Sequence, residues 1–235
     1  MRTGTLAGFV AAAGVIFNGA GARGAVQTVA WEDVVASYER VHDYTTTYEK
    51  EERAISNGEP QRIKLYFRKP LDVRMEWLDE KGAVDQIAVY QQDRNDGKLI
   101  ARRHGMLGSV VGTMRLDIHD RRAMEDSRHP ITEVGLGHVI AQASRAMRQG
   151  QAESKPPVEE TVQGRRAVRF EIDGKAGAPL FGVAGARRAT IWVDPERKLP
   201  IRVEIVDEAG GMLERHRFTD LRIDVGLTDA TFTLS

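Results

Sequence analysis

Histidine and carboxylate residues that could support metal or acid–base chemistry cluster near the middle of the chain. Asp117, His119 and Asp120 are almost contiguous, and His129 follows further along. Imidazole nitrogens and carboxylate oxygens are common ligands of zinc and other transition metals. The spacing matches no established site, however, and the arginines at positions 121, 122 and 128 would repel a cation. We interpret the stretch as an exposed, ion-paired loop, and a metal-dependent enzyme using His119 is the weakest of three hypotheses.

Other residues that often act in catalysis give weaker signals. The chain has no cysteine, which excludes disulfides, thiolate metal sites and cysteine nucleophiles. Ser109 lacks the glycines two positions before and two positions after it that mark a hydrolase nucleophile turn. His104, His138 and His216 fall on separate predicted elements and indicate no joint site. We therefore predict a protein that is not an enzyme, with no catalytic residue, no bound metal and no cofactor.

The charge balance of the chain bears on its possible partners, and its N-terminal sequence bears on its cellular location. The 34 basic and 34 acidic residues cancel, so no excess charge favours nucleic acid. Arg2 precedes an apolar run at residues 6–17, and small residues follow at Ala20 and Ala22, a pattern typical of a signal peptide. The run is shorter than the ~20 residues that cross a bilayer. We expect residues 1–22 to be a cleaved signal and residues 23–235 to form one domain that acts outside the cytoplasm; a retained anchor or a buried helix is the alternative.

Two amphipathic helices are predicted. Apolar residues recur at helical spacing from Trp31 to Val41 and again from Thr132 to Gln149. Thr132 is the expected N-cap of the second helix and Gly150 its C-terminal stop. Each helix must bury its apolar stripe against another layer.

Alternating patterns predict an antiparallel sheet around these helices. At least five strands joined by short turns, one of them at Asn57-Gly58, follow the first helix, and residues 110–118 fit a further strand. After the second helix come a polar linker at residues 151–157, a hairpin at 158–172, a mobile loop at 176–186 and a terminal meander. The pair Leu180-Phe181 in that loop fits either a flap over a cavity or a mobile tip. About eleven strands should curl, which predicts an α+β fold: a half-open barrel with two helices in its concave face.

Three segments resemble segments of known protein families. They read LYFRKPLDVRMEW from Leu65 to Trp77, RHPITEVGLGHVI from Arg128, and IWVDPERKLPIRVEI with DLRIDVGLTDATF near the C-terminus. The first resembles the LolA/LolB lipoprotein carriers of the periplasm, in which a basic residue and a proline end a strand that is followed by a tryptophan. The terminal segments resemble these carriers as well. The whole sequence is closer still to a group of secreted bacterial proteins of unknown function with that fold, and RHPITEVGLGHVI is a further match to that group.

The resemblance implies an apolar cleft that holds acyl chains. Lys69 stands where the soluble carrier has a cavity arginine that controls a lid, and lysine lacks the planar guanidinium fork of arginine. Strand alternation places Leu65, Phe67 and Lys69 on one face. The predicted ligand-binding residues are Leu65, Phe67, Lys69, Met75 and Trp77 on the sheet, with Leu136 and Ile140 on the second helix.

The first functional hypothesis is thus a periplasmic, monomeric, non-enzymatic protein that binds a lipid or a lipidated protein. The second is an envelope interaction or sensor module whose core is solid and holds no ligand. Four basic residues on two neighbouring predicted strands form a stripe that has two possible roles. It consists of Arg62, Lys64, Arg68 and Arg74, which fit either cross-strand ion pairs or transient contact with anionic headgroups.

Overall fold

The protein folds around one large sheet with two helices, as seen in a computed structural model that describes residues 29–53, 55, 59–104, 110–175, 177 and 180–234. The predicted signal segment, the Asn57-Gly58 turn and Ser109 lie outside the described residues. Within the described part, every helix falls short of the length and apolar character that a membrane crossing requires.

The helices are α1 (Trp31–Glu39) and α2 (Leu136–Arg148), and short 3₁₀ turns occupy Asn95–Gly97, Ile131–Glu133 and Asp229–Phe232. The strands are β1 (Asp43–Glu52), β2 (Gln61–Arg68), β3 (Asp72–Leu78), β4 (Val84–Gln91), β5 (Leu99–His104), β6 (Val110–Leu116), β7 (Ala152–Ser154), β8 (Val158–Val162), β9 (Arg165–Gly174), β10 (Ala186–Val193), β11 (Pro200–Asp207) and β12 (Met212–Ile223). The strand missing from the prediction is β7, a short edge strand inside the predicted polar linker.

All strand pairs are antiparallel, and the sheet is an open meander. Its order is β6-β5-β4-β3-β2-β1-β12-β11-β10-β9-β7, with β8 also paired to β9. The first and last long strands, β1 and β12, pair at the centre, where Tyr48 lies opposite Phe218. The order ends at separate edges, so the barrel stays half-open, and the predicted α+β class is confirmed.

The core lies between the inward face of the sheet and the helices. Alternate residues of β2 point inward and are buried, among them Leu65 and Phe67. The helix α2 buries four residues of its predicted apolar stripe, Leu136, Val139, Ile140 and Ala143, together with Ser144 and Ala146, whereas Met147, the fifth predicted residue, is half-buried. Helix α1 is joined to this layer by Trp31, whose Nε1 donates to Ser144 Oγ at 2.9 Å and whose ring meets Phe170 edge-on at 5.2 Å.

The start of α2 differs from the prediction, whereas its end is confirmed. Thr132 lies in a separate 3₁₀ turn, and the helix begins after Gly135, whose φ of 89° and ψ of −174° suit glycine alone. At the other end, Gly150 has a φ of 65° and donates to Met147 O, while Gln151 N donates to Ala146 O. These two bonds form a Schellman motif, so Gly150 is the predicted stop.

The segment before β10, predicted as a mobile loop, contributes Leu180, Phe181 and Val183 to the core. Leu180 and Val183 form a bridge, and both are buried together with Phe181. Leu180 packs against the edge of the sheet, 3.6 Å from the position that a Cβ would take on Gly174. The surrounding glycines and alanines gave this stretch the composition of a loop, so the burial of Leu180, Phe181 and Val183 was not predicted.

Candidate functional site

A cavity of about 230 Å³ lies between the inward face of the sheet and the segment that joins β6 to α2. Its sheet wall is mostly apolar and includes Met75, Trp77, Ala88, Leu99, Ala101, Met114 and Leu116. The joining segment and α2 add Ile131, Val134 and Val139, and the remaining apolar lining comes from Phe181 and from β11 and β12 with Val203, Ile205 and Phe218. Strand alternation explains the sheet wall, because Met75, Ala88 and Ala101 are paired across β3, β4 and β5 and face the same way.

One end of the cavity is charged. Lys50 and Glu52 on β1 are only 5% and 3% exposed, and Glu214 on β12 is 1% exposed. Their strand positions point inward, with Lys50 opposite His216 and Glu52 opposite Glu214. A buried charge is costly unless it is paired. Lys50 accordingly lies 3.5 Å from Glu52 and donates to Asp126 O at 2.9 Å.

Glu214 is the centre of this charged end. Its carboxylate accepts hydrogen bonds from Nε2 of His129 at 3.1 Å and from Nε2 of His216 at 3.2 Å. His216 Nδ1 is 2.8 Å from the hydroxyl of Tyr48. Burial alone would raise the pKa of Glu214, but the two histidines outweigh it and hold that pKa far below the usual range. Burial opposes the charged form of His129, yet Glu214 and Glu133 outweigh burial and raise its pKa.

The joining segment is tied to the sheet by these charges. The amide of Arg128 donates to Glu52 Oε2 at 2.8 Å, and its guanidinium lies 3.4 Å from Glu214 and donates to Arg53 O at 2.9 Å. The predicted exposed loop is correct only for its first part, where Arg122 is exposed and pairs with Asp120. From Ser127 onward the segment turns inward, because it supplies partners to buried charges.

The predicted ligand-binding side chains fall into two groups. Met75 and Trp77 line the cavity. Leu65, Phe67, Leu136 and Ile140 are buried in the continuous core, where Phe67 stacks on Tyr44 at 5.2 Å. Their assignment to ligand binding stays a prediction.

Lys69 lies away from the cavity, at the end of α1. Its Nζ donates to Tyr38 O at 2.7 Å and Glu39 O at 3.0 Å, and lies 4.4 Å from the centre of the Tyr38 ring. Cations near a helix C-terminus satisfy its free carbonyls and interact favourably with its dipole. Burial lowers the pKa of Lys69. In this chain the lysine therefore fastens α1 to the β2–β3 turn.

The histidines are arranged differently from the sequence-based interpretation. Asp117 accepts the amide of His119 in an exposed turn, and neither joins His129. Instead, His129, Glu133 and His138 place ligand atoms within 4.8 Å of one another, and theirs is the one potential metal group found among the described residues. Burial lowers the pKa of His138 to about 4.

The charged end was missed although one sequence signal pointed to it. Alternation from Tyr44 through Tyr48 places Lys50 and Glu52 on the inward face of β1. Polar residues at inward positions indicate a buried network, and the sequence alone could have shown that much. Their partners on β12 and beyond residue 125 are distant in sequence, so the network itself required the fold.

Comparison with protein families gives the identity of the chain at family level. The family model described as protein of unknown function (DUF1571) matches residues 41–235. The chain belongs to the DUF1571 family. A comparison with curated protein sequences found no match.

Solved structures similar to this DUF1571 protein share its fold at low sequence identity. MucB is 19% identical, with 87% of this chain and 62% of MucB covered and a TM-score of 0.50. An uncharacterized conserved protein from Thermus thermophilus is 10% identical, with 87% and 93% covered and a TM-score of 0.50. A LolA superfamily protein from Nitrosomonas europaea is 10% identical, with 88% and 99% covered and a TM-score of 0.33. The expected match to a family of unknown function is confirmed, and the likeness to MucB and to the Thermus thermophilus protein concerns the fold alone.

Proposed function

We propose that this DUF1571 protein binds the acyl part of a lipid or lipidated protein in its cavity and acts as a non-enzymatic carrier in the periplasm. The observation that supports this most is the two-sided character of the cavity. One wall consists of apolar side chains, and the other end presents charged groups of both signs, among them Lys50, Glu52, His129 and Glu214. An amphiphile with an acyl chain and a polar head matches such walls, because small-molecule sites combine apolar lining with a few placed polar groups.

The volume of the cavity limits how much of the ligand it holds. Each buried methylene contributes about 0.8 kcal/mol. Association costs on the order of 4–15 kcal/mol before any net affinity appears. A cavity of about 230 Å³ takes only part of a long acyl chain. Binding of useful strength therefore requires the polar end to contact the head of the ligand.

Two further observations agree with the proposal. The N-terminal apolar run with Ala20 and Ala22 has the pattern of an export signal, which supports a location outside the cytoplasm. The half-open barrel is the fold that the LolA-like resemblance implies. The chain spans 62% of MucB, so the activity and partners of that longer protein are not assigned to this one.

Lipid extraction and uptake of a fluorescent fatty acid test the proposal. The full chain, purified under native conditions, should release a co-purifying lipid or take up the probe at one molecule per chain. Met114→Glu places a charge on the half-buried cavity wall of β6 and should reduce uptake at least about 10-fold, because a charge opposes apolar burial. Met212→Glu is the matched control, since Met212 is also half-buried but does not line the cavity. An empty protein without uptake would contradict the proposal and favour the interaction-module hypothesis.

A further inference from the structure

Three side chains with metal-ligand chemistry meet at the wall of the cavity. His129, Glu133 and His138 all line it, although they come from the joining segment, the 3₁₀ turn and the first turn of α2. Nδ1 of His129 is 3.2 Å from Glu133 Oε2, and the rings of His129 and His138 are 5.8 Å apart. The break at Gly135 permits this approach, because it separates the turn that holds Glu133 from the helix that holds His138.

The hydrogen bonds around His129 resemble the support of a metal ligand. A metal-bound histidine generally donates its second ring N–H to a carboxylate, which fixes the ring and its tautomer. His129 Nε2 bonds to Glu214 in this way at 3.1 Å. Glu214 is in turn held by His216 at 3.2 Å and by Arg128 at 3.4 Å. The other nitrogen of His129, Nδ1, is thereby directed at Glu133.

His138 supplies a second imidazole without a competing partner. Its ring makes no hydrogen bond within the described part of the chain. Its ring nitrogens are not sealed off, because neither is among the fully buried unpaired atoms of the described residues. Glu133 is 44% exposed, which leaves a path from solvent to the three groups.

We propose that His129, Glu133 and His138 form a binding site for a divalent first-row transition-metal ion, with Zn²⁺ the best match. Two imidazoles and one carboxylate with an open fourth position are a ligand set that zinc uses. Ligand atoms around a tetrahedral zinc are about 3.4 Å apart, since each bond is about 2.0–2.1 Å. The pair of His129 and Glu133 already has this spacing, so mainly His138 must move closer.

Two of the arginines near the site have carboxylate partners. Arg128 is paired with Glu214, and Arg122 with Asp120. The fourth position would face the cavity and take a water or an oxygen of a bound ligand. Its ligands are protein side chains, so the metal can bind without a lipid, although His129 also belongs to the polar end that is proposed to contact a lipid head.

Metal titration of the tag-free full chain tests this proposal. After treatment with a chelator, the protein should bind one equivalent of Zn²⁺ in competition with a chromophoric chelator. Added Co²⁺ should give the visible absorption bands of a tetrahedral complex. His138→Ala should weaken Zn²⁺ binding at least ~100-fold and remove the bands, since loss of even an outer partner of a ligand costs about 10–100-fold.

Two further variants complete the design. Glu133→Gln should also weaken binding, and because this side chain is exposed the fold should be retained, which circular dichroism checks. His119→Ala, which removes an exposed imidazole from the same segment, should leave Zn²⁺ affinity unchanged. Absence of stoichiometric Zn²⁺ binding, or binding that His138→Ala does not alter, would overturn the metal site. Fatty acid uptake is measured separately, on metal-free protein, so failure of the metal site and failure of lipid binding are distinguishable.

Discussion

Buried charged side chains are the most unusual residues of this protein. Lys50, Glu52 and Glu214 occupy inward strand positions where apolar residues would be ordinary. Replacing a buried ion pair by apolar residues is often neutral, whereas removing one partner alone is costly. The network is therefore weak evidence for stability and stronger evidence for a role at the cavity. It also holds the joining segment in place over the sheet.

Glu214→Gln should destabilise the protein by about 3–5 kcal/mol, because it leaves His129 and Arg128 without their buried counter-ion. Urea unfolding followed by circular dichroism measures this change. Asp85→Asn is the control, since Asp85 forms an exposed pair with Arg103 at 3.9 Å and should change stability by at most about 1 kcal/mol. Similar small effects for both variants would show that the Glu214 network is solvated and not buried.

The two helices are held by close contacts that involve small residues. The amide of Leu136 donates to the hydroxyl of Tyr44 at 3.0 Å, at the start of α2. A Cβ on Gly137 would lie 2.2 Å from the hydroxyl of Tyr38 on α1. Because Lys69 packs over that same ring, α1, α2 and the turn after β2 form one connected unit.

Lys69→Met should lower stability by roughly 1–2 kcal/mol, because the last carbonyls of α1 lose a charged donor. Hydrogen exchange should show faster opening of α1, with little change in the strands. Fatty acid uptake should remain at the wild-type level, since Lys69 lies outside the cavity wall. Loss of uptake with unchanged stability would instead support the ligand-binding role that the carrier resemblance implies.

Local patterns predicted the elements well, and the failures have physical causes. Alternation located the long strands, and the Gly150 stop followed from helix-capping chemistry. The start of α2 was misplaced because the conformation of Gly135 breaks a helical pattern that continues in the sequence. The site was harder, since His129 and Glu214 are 85 positions apart and only the sheet brings them together.

The whole molecule is a sheet whose two halves meet at β1 and β12, with the charged end of the cavity at that junction. The strands β3 to β6 supply the apolar wall, and the joining segment covers it. The cavity therefore exists only if this segment is held above the wall and part of the wall consists of small residues. Ala88 and Ala101, which lie opposite each other on β4 and β5, provide that space.

A larger side chain at Ala101 tests whether the space beside it is an open cavity or a packed core. Ala101→Leu should change the free energy of unfolding by less than about 1 kcal/mol, because the added carbons enter existing volume. It should also reduce fatty acid uptake by occupying the site. Ala189→Leu is the matched control: Ala189 is fully buried on β10 outside the cavity wall, so overpacking there should cost about 1–3 kcal/mol. Urea unfolding and the uptake assay measure both effects. If the two substitutions destabilise the protein equally, the wall at Ala101 is tightly packed and the acyl chain has no place beside it.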